Sequence, residues 1–355
     1  MIPLDGPFYD QLSVGQELPR QPSVTIDDGV AALYQSLVGE RLATVLDDRV
    51  SRAVTSTPVR RAGQGFVQQE YRTSARPTPR VGRLASPGLV MQLSIGQSTT
   101  VSRRAIANLF YRDVRLLRPV MIGDSLETSV TVAGLADGSH QPGRERRGKV
   151  LIDVVTYANG EPAVVYQRCP MLPQLDDDAV PGHADDLGTT GDLDLGSYAE
   201  LVPDWDFAAL GLPTEWPANE TITDPTRDVI AGATTLVRLT HNLAMVHRDA
   251  EESPYPQRLV YGGHVVGLAQ ASLSRVLPGM ATVVGWHQCD HTGPAFEGDL
   301  LSFRHTLVDV APARTGRAFA VQVEGFARRQ DTEGLPTTGS DGTKILDWTV
   351  IAAAP

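Results

Sequence analysis

The groups with the most chemical potential cluster in the second half of the chain. His247 closes the run Asn242-Leu-Ala-Met-Val-His247, Tyr261-Gly262-Gly263-His264 follows, and His291 stands just ahead of Gly-Pro-Ala-Phe. An imidazole, with a reference pKa of about 6.5, can take up and return a proton near neutral pH. Asn242 offers an amide that hydrogen-bonds but accepts no proton. Arg238 and Arg258 are the arginines nearest these residues in sequence, and a guanidinium binds a carboxylate bidentately. Asp249 lies two residues past His247. Each has a plainer reading. A histidine on an apolar run is commonly a satisfied core residue, Gly262-Gly263 suits simple helix-start packing, and Arg238, Arg258 and Asp249 suit a solvated surface.

Other chemistries lack their signatures. There is no Gly-x-Gly-x-x-Gly after a strand, no P-loop, no paired-His or Cys-x-x-Cys metal spacing and no Gly-x-Ser-x-Gly elbow. No metal site and no redox or nucleotide cofactor is therefore expected. The 355 residues carry 31 Lys+Arg against 42 Asp+Glu, a balance that argues against a nucleic-acid partner, which needs cationic excess to displace counterions. Two cysteines, Cys169 and Cys289, build no disulfide framework. No apolar run approaches the roughly 18 residues of a membrane span, and the N-terminus lacks the pattern of a signal peptide. A cytoplasmic protein with no membrane partner is the expectation.

The charge is unevenly placed. Residues 1–173 hold 20 basic and 16 acidic residues, 174–226 hold 13 acidic and none basic, and 227–355 hold 11 basic and 13 acidic. The middle stretch, rich in Asp, Gly and Pro early on, has the signature of a linker, because like charges repel and little apolar surface offsets ordering. Its later part carries Trp205, Phe207, Leu210 and Trp216, which suit docking onto a neighbouring domain.

The flanking parts repeat one plan. Gly123-Asp124 and Gly298-Asp299 each precede an alternating run that suits a β-strand. Upstream, Gly88 and Gly262 each open an apolar run, and the offsets, 175 and 174 residues, agree within one. In the second copy Val265, Val266, Leu268, Ala269, Leu273 and Val276 fall close to helical spacing, with Pro278-Gly279 ending the run. A helix apolar nearly all round is wrapped by other structure. Strand-like stretches follow each Gly-Asp pair, KVLIDVVTYA and AVVYQRCPML in one half, AFAVQVEGFARRQ and KILDWTVIAA in the other. The expected class is α+β: a tandem hot-dog, each half an antiparallel sheet around a central helix. The expected division is 1–173, an acidic linker 174–226, and 227–355, with an insertion of about 28 residues in the first half near 46–82.

The segments TLVRLTHNLAMVHRD, RLVYGGHVVGLAQASL and GPAFEGDLLSFRHTLVDV resemble the MaoC-like acyl-CoA dehydratases, the hydratase-2 family. Within it, the tandem members of this length that hydrate mesaconyl-CoA share the wording Asn-x-Ala-x-Val-His and Leu-x-Tyr-Gly-Gly-His-Val. The resemblance covers nearly everything outside the linker and insertion. It implies a hydro-lyase for enoyl-CoA thioesters, most closely mesaconyl-CoA plus water to β-methylmalyl-CoA. It also implies an acyl-CoA partner, no cofactor beyond the CoA of the substrate, and a homodimer or higher oligomer. The family's catalytic His falls on His247 and its catalytic Asp on Asn242, a departure that removes the carboxylate. The family's Asn falls on Ala244 and its His before the glycine on Tyr261. In the first copy Val45 stands where the His belongs, so one site per chain is implied.

Adding water across such a thioester needs a base for water, an acid for the α-carbon and donors for the thioester oxygen. His247 serves as base and then acid, with Asn242 orienting water or imidazole. The helix start at Gly262 or Gly263 supplies backbone N–H donors unobstructed by a side chain. A substrate bearing a free carboxylate calls for an arginine, with Arg258 and Arg238 as candidates; Tyr261 and His291 are further candidates for contacting it. Two other readings stay open: a non-catalytic acyl-CoA-binding protein and a hot-dog thioesterase.

Overall fold

The structure is a computed structural model and describes residues 6–56, 82–139, 145–216 and 220–355. Eleven strands alternate with mostly short helices. In the first half lie β1 (Val24–Thr25), β2 (Ala107–Leu116), β3 (Ser125–Asp137), β4 (Arg147–Ala158) and β5 (Glu161–Pro173), with helices α1 (Asp28–Val38), α2 (Ala43–Leu46), α3 (Asp48–Thr55) and α4 (Pro87–Gln97). A short α5 (Leu195–Ala199) follows. Then come β6 (Thr221–Thr223), β7 (Asp228–Val229), α6 (Ala233–Leu239), α7 (Gly262–Val276), β8 (Thr282–His291), β9 (Leu300–Pro312), β10 (Arg317–Arg328) and β11 (Thr343–Ala354).

The strands form one antiparallel sheet in the order β1-β3-β4-β5-β2-β8-β11-β10-β9-β6, with β7 on β9. The two halves mirror each other across the β2–β8 pair, where Tyr111 faces Cys289 and Val114 faces Trp286. The fold is the expected tandem hot-dog, α+β, with α4 and α7 as the paired central helices. Every residue of α4 is buried, as are twelve of fifteen in α7. Such enclosure explains why neither helix needs a polar face. Gln92 of α4 donates to the Gly263 carbonyl of α7 at 2.7 Å, which ties the two helix starts together.

The repeated Gly-Asp pairs have a common cause. Gly123 and Gly298 sit at φ 97° and 89°, a left-handed conformation that favours glycine. The following carboxylates turn back on the chain: Asp124 accepts from the Met121 N–H and Asp299 from the Phe296 N–H. Each pair therefore locks the turn that feeds a 13-residue strand, β3 in one half and β9 in the other.

Sequence periodicity missed β2 and β8, the two strands that join the halves. β2 is broken by register shifts at 108/111 and 112/115, with Asp113 at φ 48°, which destroys its alternation. β8 is buried on both faces along its first half, so it has no polar period to detect. The acidic stretch is more than a tether. Trp205, Phe207 and Leu210 are buried in a second apolar cluster with Val284, Ala320 and Ile351. The expected insertion near 46–82 falls partly on α2 and α3; residues 57–81 lie outside the described residues. Among the described residues no helix is long and apolar enough to cross a membrane.

Candidate active site

A cavity of about 400 Å³ opens at the seam between the halves. Its second-half wall carries Asn242, Ala244, His247, Tyr261, Gly262 and His291. Its first-half wall carries Thr99, Ser102, Asn108, Tyr111 and Arg168.

Bonds from both halves hold the loop bearing His247. Asn242 Oδ1 accepts from the Ala244 N–H at 2.9 Å, a local turn that bends the chain after α6. Leu243 N–H donates to Thr99 Oγ1, and Met245 N–H to the Arg103 carbonyl, so the first half supports the second half's loop. Residues 245–247 then close a short 3₁₀ turn. His247 Nδ1 lies 2.9 Å from the Leu259 carbonyl. A carbonyl only accepts, so Nδ1 carries the proton and Nε2 keeps a lone pair. Burial pushes this imidazole's pKa down to about 4, against a smaller upward pull from the Leu259 bond. At neutral pH it is an uncharged base.

His291 arrives from the end of β8. Its ring lies so close to Gly262 that a Cβ there would stand 2.5 Å from Nε2. Burial, and the neighbouring His247, push its pKa down to about 4 as well. Tyr261 is the N-cap residue of α7, its carbonyl accepting the His264 N–H, but its hydroxyl is buried without a hydrogen-bond partner and its ring sits 5.7 Å from that of His247. Burial raises its pKa well above the ordinary value, so it remains a donor. No side chain caps the start of α7, which leaves the first N–H groups of the helix for a ligand. Gly262 lines the cavity, whereas Gly263 packs behind it under Gln92 and the Tyr261 ring.

The cavity thus brings together His247, Asn242, Tyr261, Gly262 and His291. Arg238 and Arg258 stand outside it. Arg238 follows the buried Leu236 and Val237 on α6 and faces solvent, since 100° per residue turns it off the core face. Arg258 is exposed, one residue before the carbonyl that His247 uses. Asp249 is exposed in a turn, and His264 is buried away from the cavity. The arginine that does line the cavity is Arg168 on β5, 3% exposed. A signal for it exists: Val164, Tyr166, Arg168, Pro170 and Leu172 form the buried face of β5, with one charge among them. Among the described residues no group of three or more His, Cys, Asp or Glu is placed to hold a metal ion.

No family model matches the chain. It is 33% identical to RV0216 of Mycobacterium tuberculosis, described as a double-hotdog protein, over 99% of both chains with a TM-score of 0.80. The structure of a MaoC domain dehydratase from Chloroflexus aurantiacus shares the fold at 23% identity, over 99% of this chain and 97% of that one, with a TM-score of 0.78. The chain is 27% identical to the mesaconyl-CoA hydratase of Cereibacter sphaeroides, over 95% of this chain and 93% of that protein. It is also 27% identical to the beta-methylmalyl-CoA dehydratase of Chloroflexus aurantiacus, over 87% and 85%. The chain belongs to the double-hot-dog proteins, and the curated relatives it resembles over most of its length are named a hydratase and a dehydratase.

Proposed function

We propose that the chain catalyses the reversible hydration of an enoyl-CoA thioester, with mesaconyl-CoA and water giving β-methylmalyl-CoA. The observation that carries this reading is His247, a neutral imidazole fixed by the Leu259 carbonyl in a cavity that also meets the uncapped start of α7. The names of the two 27% identical relatives support the substrate.

His247 Nε2 takes a proton from water as the oxygen adds to the β-carbon. The charge that develops on the thioester oxygen is met by the N–H of Gly262 and the helix dipole. His247 then returns its proton to the α-carbon, so one group serves as base and acid and no carboxylate is needed at position 242. Asn242 acts by shaping the loop, its Oδ1 being spent on the Ala244 N–H. His291 and the Tyr261 hydroxyl flank Gly262 and His247 and hydrogen-bond the bound water and acyl group. The chemistry draws on no cofactor beyond the CoA of the substrate.

A second cavity, about 580 Å³, shares Ala105, Ile106, Val246 and Pro254 with the first and carries Arg103 and Arg104. This is the proposed path for the CoA arm, with Arg103 and Arg104 to meet its phosphates on a wall that also carries Glu145, Asp177 and Glu252. The test is a coupled assay of mesaconyl-CoA, crotonyl-CoA and longer enoyl-CoAs. Loss of enoyl absorbance without release of free CoA supports hydration. Release of free CoA instead would assign a thioesterase, and tight binding without turnover a binding protein.

A further inference from the structure

We propose that Arg168 is the counter-charge for a carboxylate on the acyl group, so that the cavity selects short acyl-CoA thioesters ending in an anion. The inference deepens the hydratase reading and rests on it for the location of the reacting carbons.

Arg168 is a buried cation whose protein partners are all neutral. Nε donates to Ser98 Oγ at 3.1 Å, Nη2 to the Ser98 carbonyl and to Ser102 Oγ, and Nη1 to Asn108 Oδ1. Those four bonds use four of the five guanidinium N–H donors and leave one on Nη1. Among the described residues no carboxylate pairs with it. Ser98 follows the carboxyl end of α4, and the helix dipole there offsets part of the charge. A helix end supplies only about half an elementary charge, and a buried charge is costly unless it is paired. The remaining field points at whatever fills the cavity that Arg168 lines.

The sheet sets how far this charge lies from the His291 side of the cavity. Arg168 on β5 faces Tyr111 on β2, and Tyr111 faces Cys289 on β8. His291 is two residues further along β8, on the same face as Cys289, and its ring meets that of Tyr111 edge-on at 6.3 Å. Adjacent strands are about 4.8 Å apart, so the backbones of Arg168 and Cys289 are separated by roughly 10 Å. Side chains on one face of a sheet stand roughly parallel, so the groups they carry keep a separation of that order, the span of a short acyl thioester. An aliphatic tail would instead press apolar atoms against an unpaired guanidinium and strip its remaining solvation.

The test compares binding of succinyl-CoA and butyryl-CoA, which have the same four-carbon chain with and without the terminal carboxylate. Isothermal titration is run on the full chain as wild type, Arg168→Met and Arg168→Lys, with melting temperatures recorded for each. Wild type is expected to bind succinyl-CoA about 10- to 100-fold more tightly, the range for hydrogen bonds to a charged group. Arg168→Met should abolish that preference while holding butyryl-CoA affinity, and Arg168→Lys should keep a reduced preference because it retains charge without the fork. Equal affinity of the wild type for the two ligands overturns the proposal even if Arg168→Met fails to fold. Equal weakening of both ligands in a folded Arg168→Met also overturns it, by showing a structural role alone. A wild type that prefers succinyl-CoA yet hydrates no enoyl-CoA supports this inference and contradicts the hydratase reading.

Discussion

The Nδ1–H of His247 donates to the carbonyl of Leu259 at 2.9 Å, and this bond sets the chemistry of the opposite nitrogen. A backbone carbonyl has no other state, so the tautomer is fixed without a carboxylate partner. This is how the site keeps a base although position 242 is an asparagine.

The pH dependence of kcat/KM follows from the burial of both imidazoles. His247 and His291 each have pKa values near 4, so the neutral form persists well below the usual histidine range. Activity is expected to stay level from pH 8 to about 5 and to fall as pH approaches 4. An acid limb at the ordinary value of about 6.5 would show that these rings are solvated in the working enzyme.

Gly262 is a matter of space. An alanine Cβ would stand 2.5 Å from His291 Nε2 and 2.6 Å from its Cε1. Gly262→Ala should cost about 1–3 kcal/mol of stability through overpacking and displace the His291 ring. Thermal unfolding and hydration rate, measured together, check this: both fall if the contact is as tight as described.

Asn242→Ala removes the acceptor for the Ala244 N–H. The expected loss is about 1–2 kcal/mol in stability. A drop in kcat is also expected, because a small misplacement of His247 is felt directly in the rate. Were the reaction limited by the lack of a carboxylate at position 242, Asn242→Asp would instead raise activity several-fold and add a new titration to the pH profile.

Tyr261→Phe separates stability from binding. The hydroxyl is buried without a partner, so its removal should leave the melting temperature unchanged or higher. If the hydroxyl serves the bound ligand, KM rises while the fold is untouched.

Much of this was legible in the residues. The Gly-Asp turns, the two enclosed helices and six of the long strands follow from glycine placement and alternation, because these are local demands of the backbone. The seam strands β2 and β8 were not, since bulges and two-sided burial erase the period. His247 and Gly262 were visible through their spacing. Arg168 has no such spacing signal, because a strand residue 79 positions before His247 meets the site only through the β5–β2–β8 pairing. Sequence proximity pointed to Arg238 and Arg258 instead, and proximity along the chain says nothing about which side of α6 a residue faces.

The central claim is that His247 moves the proton. Its most direct test is the steady-state hydration of mesaconyl-CoA by His247→Ala, with circular dichroism and melting temperature as controls for the fold. The account predicts a folded protein, destabilised by about 1 kcal/mol through the unpaired Leu259 carbonyl, whose kcat has fallen about 10²- to 10⁴-fold. A folded His247→Ala variant that retains wild-type kcat would contradict it.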